Sequence, residues 1–160
     1  MNRMSFMLGM PIGVLAVLLI VFTLAMGGCA DGYYGPTDTA DMKPVSGVLV
    51  IRNATGGRVF QSQTNFQRLE DEGAQVKVLG NCGSSCVLLL THKNICYAPD
   101  ARFVFHGASV PSMSVAIENA LPQRIGEWSR SNDAMGSPDR LVSISGAEIA
   151  RLDNTDRTCL

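Results

Sequence analysis

Charge is scarce in this chain. Of its 160 residues, 17% are Asp, Glu, Lys or Arg, and the formal net charge is -1, a low charged fraction for a soluble domain. No basic run occurs and no aromatics interleave with basic residues, so a nucleic-acid-binding surface is excluded. Internal repeats and low-complexity tracts are missing, and the length suits one domain once any targeting segment is removed. The Gly-x-Ser-x-Gly form of a nucleophile elbow is absent. So is Cys-x-x-Cys, the spacing of a dithiol redox pair. No cofactor is expected: the alternation Phe103-Val104-Phe105 reads as core, not as a cofactor box.

The first thirty residues account for part of the missing charge. Arg3 is the only charged residue before Asp31. From Leu8 to Met26 the chain is apolar or small, which suits a secretory signal or a membrane-spanning helix of about 20 residues. The run closes on Leu24-Ala-Met-Gly-Gly-Cys29. Gly27 and Gly28 before a cysteine resemble the bacterial lipobox, in which the cysteine becomes the lipidated N-terminus; Met26 stands where leucine is usual. Export with Cys29 lipidated is the favoured expectation, and an uncleaved anchor the second. Either holds the protein to a membrane through its N-terminus, in the cell envelope, with the domain facing the periplasm or exterior. Residues 30–44 carry Gly32, Gly35, Pro36 and Pro44 with no apolar period, the composition of a flexible linker. The domain is then 45–160.

Within that domain Val45–Ile51 reads as a buried strand, and Arg52-Asn-Ala-Thr-Gly-Gly57 as a turn. Arg58–Glu72 reads as a helix with Val59, Phe60, Phe66 and Leu69 inward and Gly73 as its stop. Gln75–Leu79 is a second strand. Small residues follow, Gly80-Asn-Cys-Gly-Ser-Ser-Cys86, and then the apolar Val87–Leu90, read as a buried helix. Asn94–Tyr97 and Ala101–His106 are short strands flanking the turn sequence Ala98-Pro-Asp-Ala101. Val115–Arg130 is helical, restarted at Pro122, and Ser145-Gly-Ala-Glu148 opens a last helix. His92 is expected to be exposed. The order of elements is that of an α/β domain.

A strand, a tight small-residue turn carrying serine, and a buried helix form a device for aiming a nucleophile. A Gly/Ser loop between two core elements is the plainer account. Several segments together resemble the Clp-protease-like branch of the crotonase superfamily, in particular its exported, cysteine-bearing members. These are the glycine turn ending at Gly57, the turn Cys82-Gly-Ser-Ser-Cys86, and the stretch Ile95–His106, similar to the family's hairpin ending on a histidine. The fourth is Asp139–Glu148, in which an aspartate precedes a short helix. The resemblance implies a minimal ββα spiral core following the N-terminal signal or anchor helix. It implies Ser84 as nucleophile, His106 as general base and Asp139 as its orienting acid, with Asp133 and Asp153 as rivals for that last role. The backbone N–H groups of Gly57 and Ser85 would form the oxyanion hole. The segment between His106 and Asp139 is shorter than in the proteases, so a protease ring is not implied and a homo-oligomer stays open.

The cysteines admit three accounts. With Cys29 lipidated, Cys82, Cys86, Cys96 and Cys159 remain, an even number that fits one or two disulfides in an oxidising compartment. Pairing is not legible in the sequence, though a Cys82–Cys86 bridge would staple the serine turn and Cys96–Cys159 would tie down the C-terminus. Metal is the second account, through Cys82, Cys86, His92 and Cys96; the apolar Val87–Leu90 opposes it, and no metal is expected. A redox pair is the third. The leading functional expectation is an exported, membrane-tethered serine hydrolase acting on a peptide or other acyl bond. The alternative is a non-catalytic envelope lipoprotein that binds or scaffolds on the same fold.

Overall fold

Leu49 and Ile51, and again Val76 and Val78, are buried while their immediate neighbours are more open. That alternation is the period of a strand, and these residues lie on the two longest strands of the fold. The computed structural model describes residues 37–39 and 42–159. The apolar N-terminal run and Cys29 lie outside the described residues. Among the described residues no helix is long and apolar enough to cross a membrane. The elements are β1 (Thr37–Asp38), β2 (Val48–Gly56), α1 (Val59–Asp71), β3 (Gln75–Gly83), a 3-10 helix (Ser84–Thr91), β4 (Ile95–Tyr97), β5 (Arg102–Phe105), α2 (Pro111–Ala120), α3 (Gln123–Ser131), β6 (Val142–Ser145) and α4 (Gly146–Asp153). The result is a mixed α/β fold.

The sheet runs β1-β2-β3-β5-β6, with β4 also on β3. Every pairing is parallel except β5 with β6. β4 and β5 do not form the expected hairpin. Both lie parallel along the same strand, with Val78 opposite Tyr97 and Asn81 opposite Arg102. The turn Ala98–Ala101, closed by an Ala101 N–H to Ala98 carbonyl bond of 3.0 Å, takes up extra chain without reversing it. A strand–turn–strand pattern is common to both arrangements, and pairing with β3 decides between them.

β2 also differs from its expected limits. Ser46 and Gly47 have φ of 51° and 76° and form a turn, so the strand begins at Val48. It runs through Arg52 to Gly56 because β3 extends beside it, pairing Asn53 with Asn81 and Ala54 with Cys82. Arg52 and Thr55 remain exposed, so their polarity costs nothing. In α1 the buried residues are Ser62, Asn65, Phe66 and Leu69, the spacing of one helical face. Phe60 lies off that face and is 70% exposed, against expectation. Within the stretch read as linker, Thr37–Asp38 pairs with β2, and Thr39 and Met42 are buried.

The expected break at Pro122 separates α2 from α3. The Ser145 hydroxyl caps α4 by accepting the Glu148 N–H at 3.2 Å. His92 is buried, not exposed. Its N–H ends the 3-10 helix on the Leu89 carbonyl, its Nδ1 accepts the Asn94 N–H at 3.2 Å, and its Nε2 lies 3.2 Å from a Glu70 carboxylate oxygen. Tyr97 and Phe103 meet edge-on at 5.6 Å, and Phe105 meets Trp128 at 5.5 Å. The C-terminal tail lies along Tyr97 through the Arg157 carbonyl and the Cys159 N–H, and a Cys96–Cys159 disulfide fixes it there.

That bridge closes a loop with a sequence separation of 63. Replacing both cysteines by alanine should lower stability by about 4 kcal/mol on the chain-entropy model, read from urea unfolding without reductant. Burial, with a smaller push from Asp153, raises the Tyr97 phenol above its ordinary value, while Thr155 and Arg157 oppose the rise. The folded state therefore holds this proton more tightly than the unfolded chain. The stability it supplies is complete below the unfolded phenol pKa of about 10 and is lost as pH climbs through the folded value. Tyr97→Phe should flatten that alkaline decline in denaturation midpoints.

Candidate active site

Three parallel strands end at one edge of the sheet, and the residue after each end is one of those singled out by sequence. β2 stops at Gly56 and Gly57 follows; β3 stops at Gly83 and Ser84 follows; β5 stops at Phe105 and His106 follows. The carboxyl ends of parallel strands are where α/β sheets place their sites. Gly57, Ser84, Ser85 and His106 line one cavity of about 210 Å3, walled on the apolar side by Val59, Ile117 and Met135.

Ser84 has φ of 55°, a left-handed conformation uncommon for a residue with a side chain. Three constraints hold it. Cys82 and Cys86 are disulfide-bonded across it, and both are fully buried. The 3-10 helix it opens is anchored by Val87, Leu88, Leu89 and Leu90, all buried. Gly56 lies against it: a Cβ there would fall 2.3 Å from Ser84 Cβ and 2.9 Å from its Oγ, and Gly56 itself has φ of 93°. Only glycine fits on both counts.

The first N–H groups of a helix have no partner within it. Those of Ser84 and Ser85 open the 3-10 helix, where a developing negative charge is favoured. The Ser85 side chain is buried and turned to the hydroxyls of Thr39 and Ser62.

His106 is half-buried, and its Nδ1 lies 2.9 Å from the Gly107 carbonyl oxygen. A carbonyl only accepts, so Nδ1 carries a proton, and in the neutral ring Nε2 carries the lone pair. Gly107 is itself fixed by donating its N–H to the Ser137 carbonyl at 2.8 Å. Asp139 does not line the cavity. It is exposed, and its N–H donates to Ser137 Oγ at 3.3 Å. Asp133 pairs with Arg140 at 2.9 Å on the surface, and Asp153 accepts the Thr155 hydroxyl at 3.2 Å. None of the three aspartates engages the His106 ring; a main-chain carbonyl does.

A larger groove of about 900 Å3 runs along α1 past Glu70 and His92. Its histidine has Nδ1 filled by the Asn94 N–H, and Nε2 lies 3.2 Å from a Glu70 oxygen without a hydrogen bond to it. The four-ligand set Cys82, Cys86, His92 and Cys96 is not available to a metal, since all three cysteines are in disulfides. Sequence reasoning marked the glycine pair and the inward Val59 but passed over the contact of Gly56 with Ser84, the Gly107 carbonyl and the hydroxyls behind Ser85.

The sequence matches no protein-family model and no curated protein. Among solved structures, a ClpP protease catalytic domain from Plasmodium falciparum is similar in fold, with a TM-score of 0.49 and 12% identity over 71% of this chain and 68% of that one. A structure described only as an enzyme is similar over 93% of this chain and 88% of its own, with a TM-score of 0.43 and 11% identity.

Gly56→Ala should push Ser84 out of its bend. A melt should show a loss of about 1–3 kcal/mol or more, as for strain at a special backbone position, and Ser84 should lose what reactivity it has toward electrophilic probes.

Proposed function

We propose that this chain is a serine hydrolase of peptide or other acyl bonds, exported and held at a membrane by its N-terminus. In this reading Ser84 is the nucleophile, His106 the base, and the Clp-like spiral core the scaffold. The observation that carries it is the shared cavity: a serine in a forced left-handed bend at a helix start, facing the same space as a histidine whose Nε2 is free to accept a proton.

The proposed chemistry is that of a serine–histidine pair. A serine hydroxyl is a weak nucleophile until a base takes its proton. His106 Nε2 takes it as Ser84 Oγ attacks the acyl carbon, and the imidazolium returns it to the leaving group. Water then repeats the sequence on the acyl-enzyme. In this reading the N–H groups of Ser85 and Gly57 receive the oxyanion, each donor lowering the barrier by about 3–4 kcal/mol. The orienting role that a carboxylate plays in a triad falls to the Gly107 carbonyl. Asp139, the acid implied by resemblance, stands apart from the ring in this reading.

The lack of a carboxylate on the His106 ring among the described residues favours a second reading, a binding or scaffolding protein in which the same cavity seats a ligand without turning it over. A fluorophosphonate probe separates the two. Wild type should be labelled at Ser84, with labelling abolished in Ser84→Ala and reduced about a thousandfold or more in His106→Ala. Asp139→Asn should label within a fewfold of wild type. A folded wild type that takes no label leaves only the binding reading.

A further inference from the structure

Behind the serine turn lies a ring of three hydroxyls with no evident need to exist in a core. Thr39 Oγ1, Ser62 Oγ and Ser85 Oγ are mutually bonded at 2.5, 2.8 and 2.9 Å. All three residues are buried to within 1%. Three hydroxyls bring three protons to three contacts, so each donates once and accepts once, and the ring closes without water. Its members come from three distant places: the segment after β1, the inner face of α1, and the second residue of the 3-10 helix. Removing any one hydroxyl leaves the other two buried and incompletely paired.

The segment carrying Thr39 is clamped independently. The Asn65 side-chain amide donates to the Thr39 carbonyl at 2.9 Å and to the Met42 carbonyl at 3.1 Å, and its own oxygen accepts from Arg68 at 2.8 Å. Asn65 is buried. An apolar residue would fill that space more cheaply, so the amide is explained by holding main chain in place. The chain just before the domain is thus fastened at two points, and one of them ends on the residue next to Ser84.

We propose that this N-terminal segment is a strap that sets the competence of the site: with Thr39 docked, the hydroxyl ring fixes Ser85, and through it the bend of Ser84 and the oxyanion-binding N–H. The proposal rests on the hydrolase reading and adds its regulation. Thr39 and Ser62 are positioning residues, since they act through Ser85.

The test is the rate of fluorophosphonate labelling of the full chain at saturating probe, well below each melting temperature. Thr39→Val keeps the shape and loses the hydroxyl, Ser62→Ala removes a second member of the ring, and Asn65→Ala loosens the strap without touching the ring. Thr39→Ser keeps the hydroxyl. Ile149→Val, in α4, supplies comparable destabilisation away from the site. The expected result is labelling slowed about tenfold or more in the first three variants, little change in half-saturating probe concentration, and wild-type rates in Thr39→Ser and Ile149→Val. Wild-type rates in Thr39→Val and Ser62→Ala would overturn the strap and leave the hydrolase standing. Slowing that merely tracks lost stability, with Ile149→Val slowed alike, also overturns it. An unlabelled wild type removes the hydrolase reading and the strap with it.

Discussion

The parallel pairing of β2 with β3 is the constraint on which the site depends. Because the strands run the same way in register, with Ala54 opposite Cys82, their ends arrive together, and Gly56 is pressed against Ser84. β5 then joins the other edge of β3, again parallel, with Phe103 opposite Cys82, and delivers His106 to the same rim. Had β5 turned back as a hairpin on β4, His106 would lie at the other end of the sheet. Residues from three parts of the chain are brought to one cavity by strands paired in parallel.

What the sheet positions, the local chain must then hold still. The serine bend is gripped from ahead by a buried disulfide, from behind by four apolar side chains, and from the side by a glycine that has no room to be anything else. The grip is made of short contacts and burial, with no exposed ion pair involved. Such contacts are little affected by salt, whereas surface pairs such as Arg140–Asp133 are screened and contribute little.

Much of this was legible from sequence where the signal was local. A strand pattern running into Gly-Ser-Ser between cysteines marks a bend by itself, and so does an apolar strand ending in histidine. The helix break at Pro122 and the cap at Ser145 are likewise written in the residues that make them. What escaped was set by partners far along the chain. His92 looked free because its carboxylate, Glu70, belongs to another element. Thr39 sat in linker-like composition, and only the hydroxyls of Ser62 and Ser85 make its burial sensible. Phe60 seemed to belong to the inner face of α1, but the small polar Ser62 and Asn65 took that face. The Gly107 carbonyl could not have been found, since a main-chain atom has no signature in a sequence. The apolar N-terminal run lies outside the described residues.

The φ of 55° at Ser84 carries an evolutionary consequence. Glycine would occupy that backbone freely, whereas a residue with a side chain is held there at about 1–2 kcal/mol. Drift under selection for thermal robustness alone would therefore trade the hydroxyl away. A serine held here costs stability that a glycine would not.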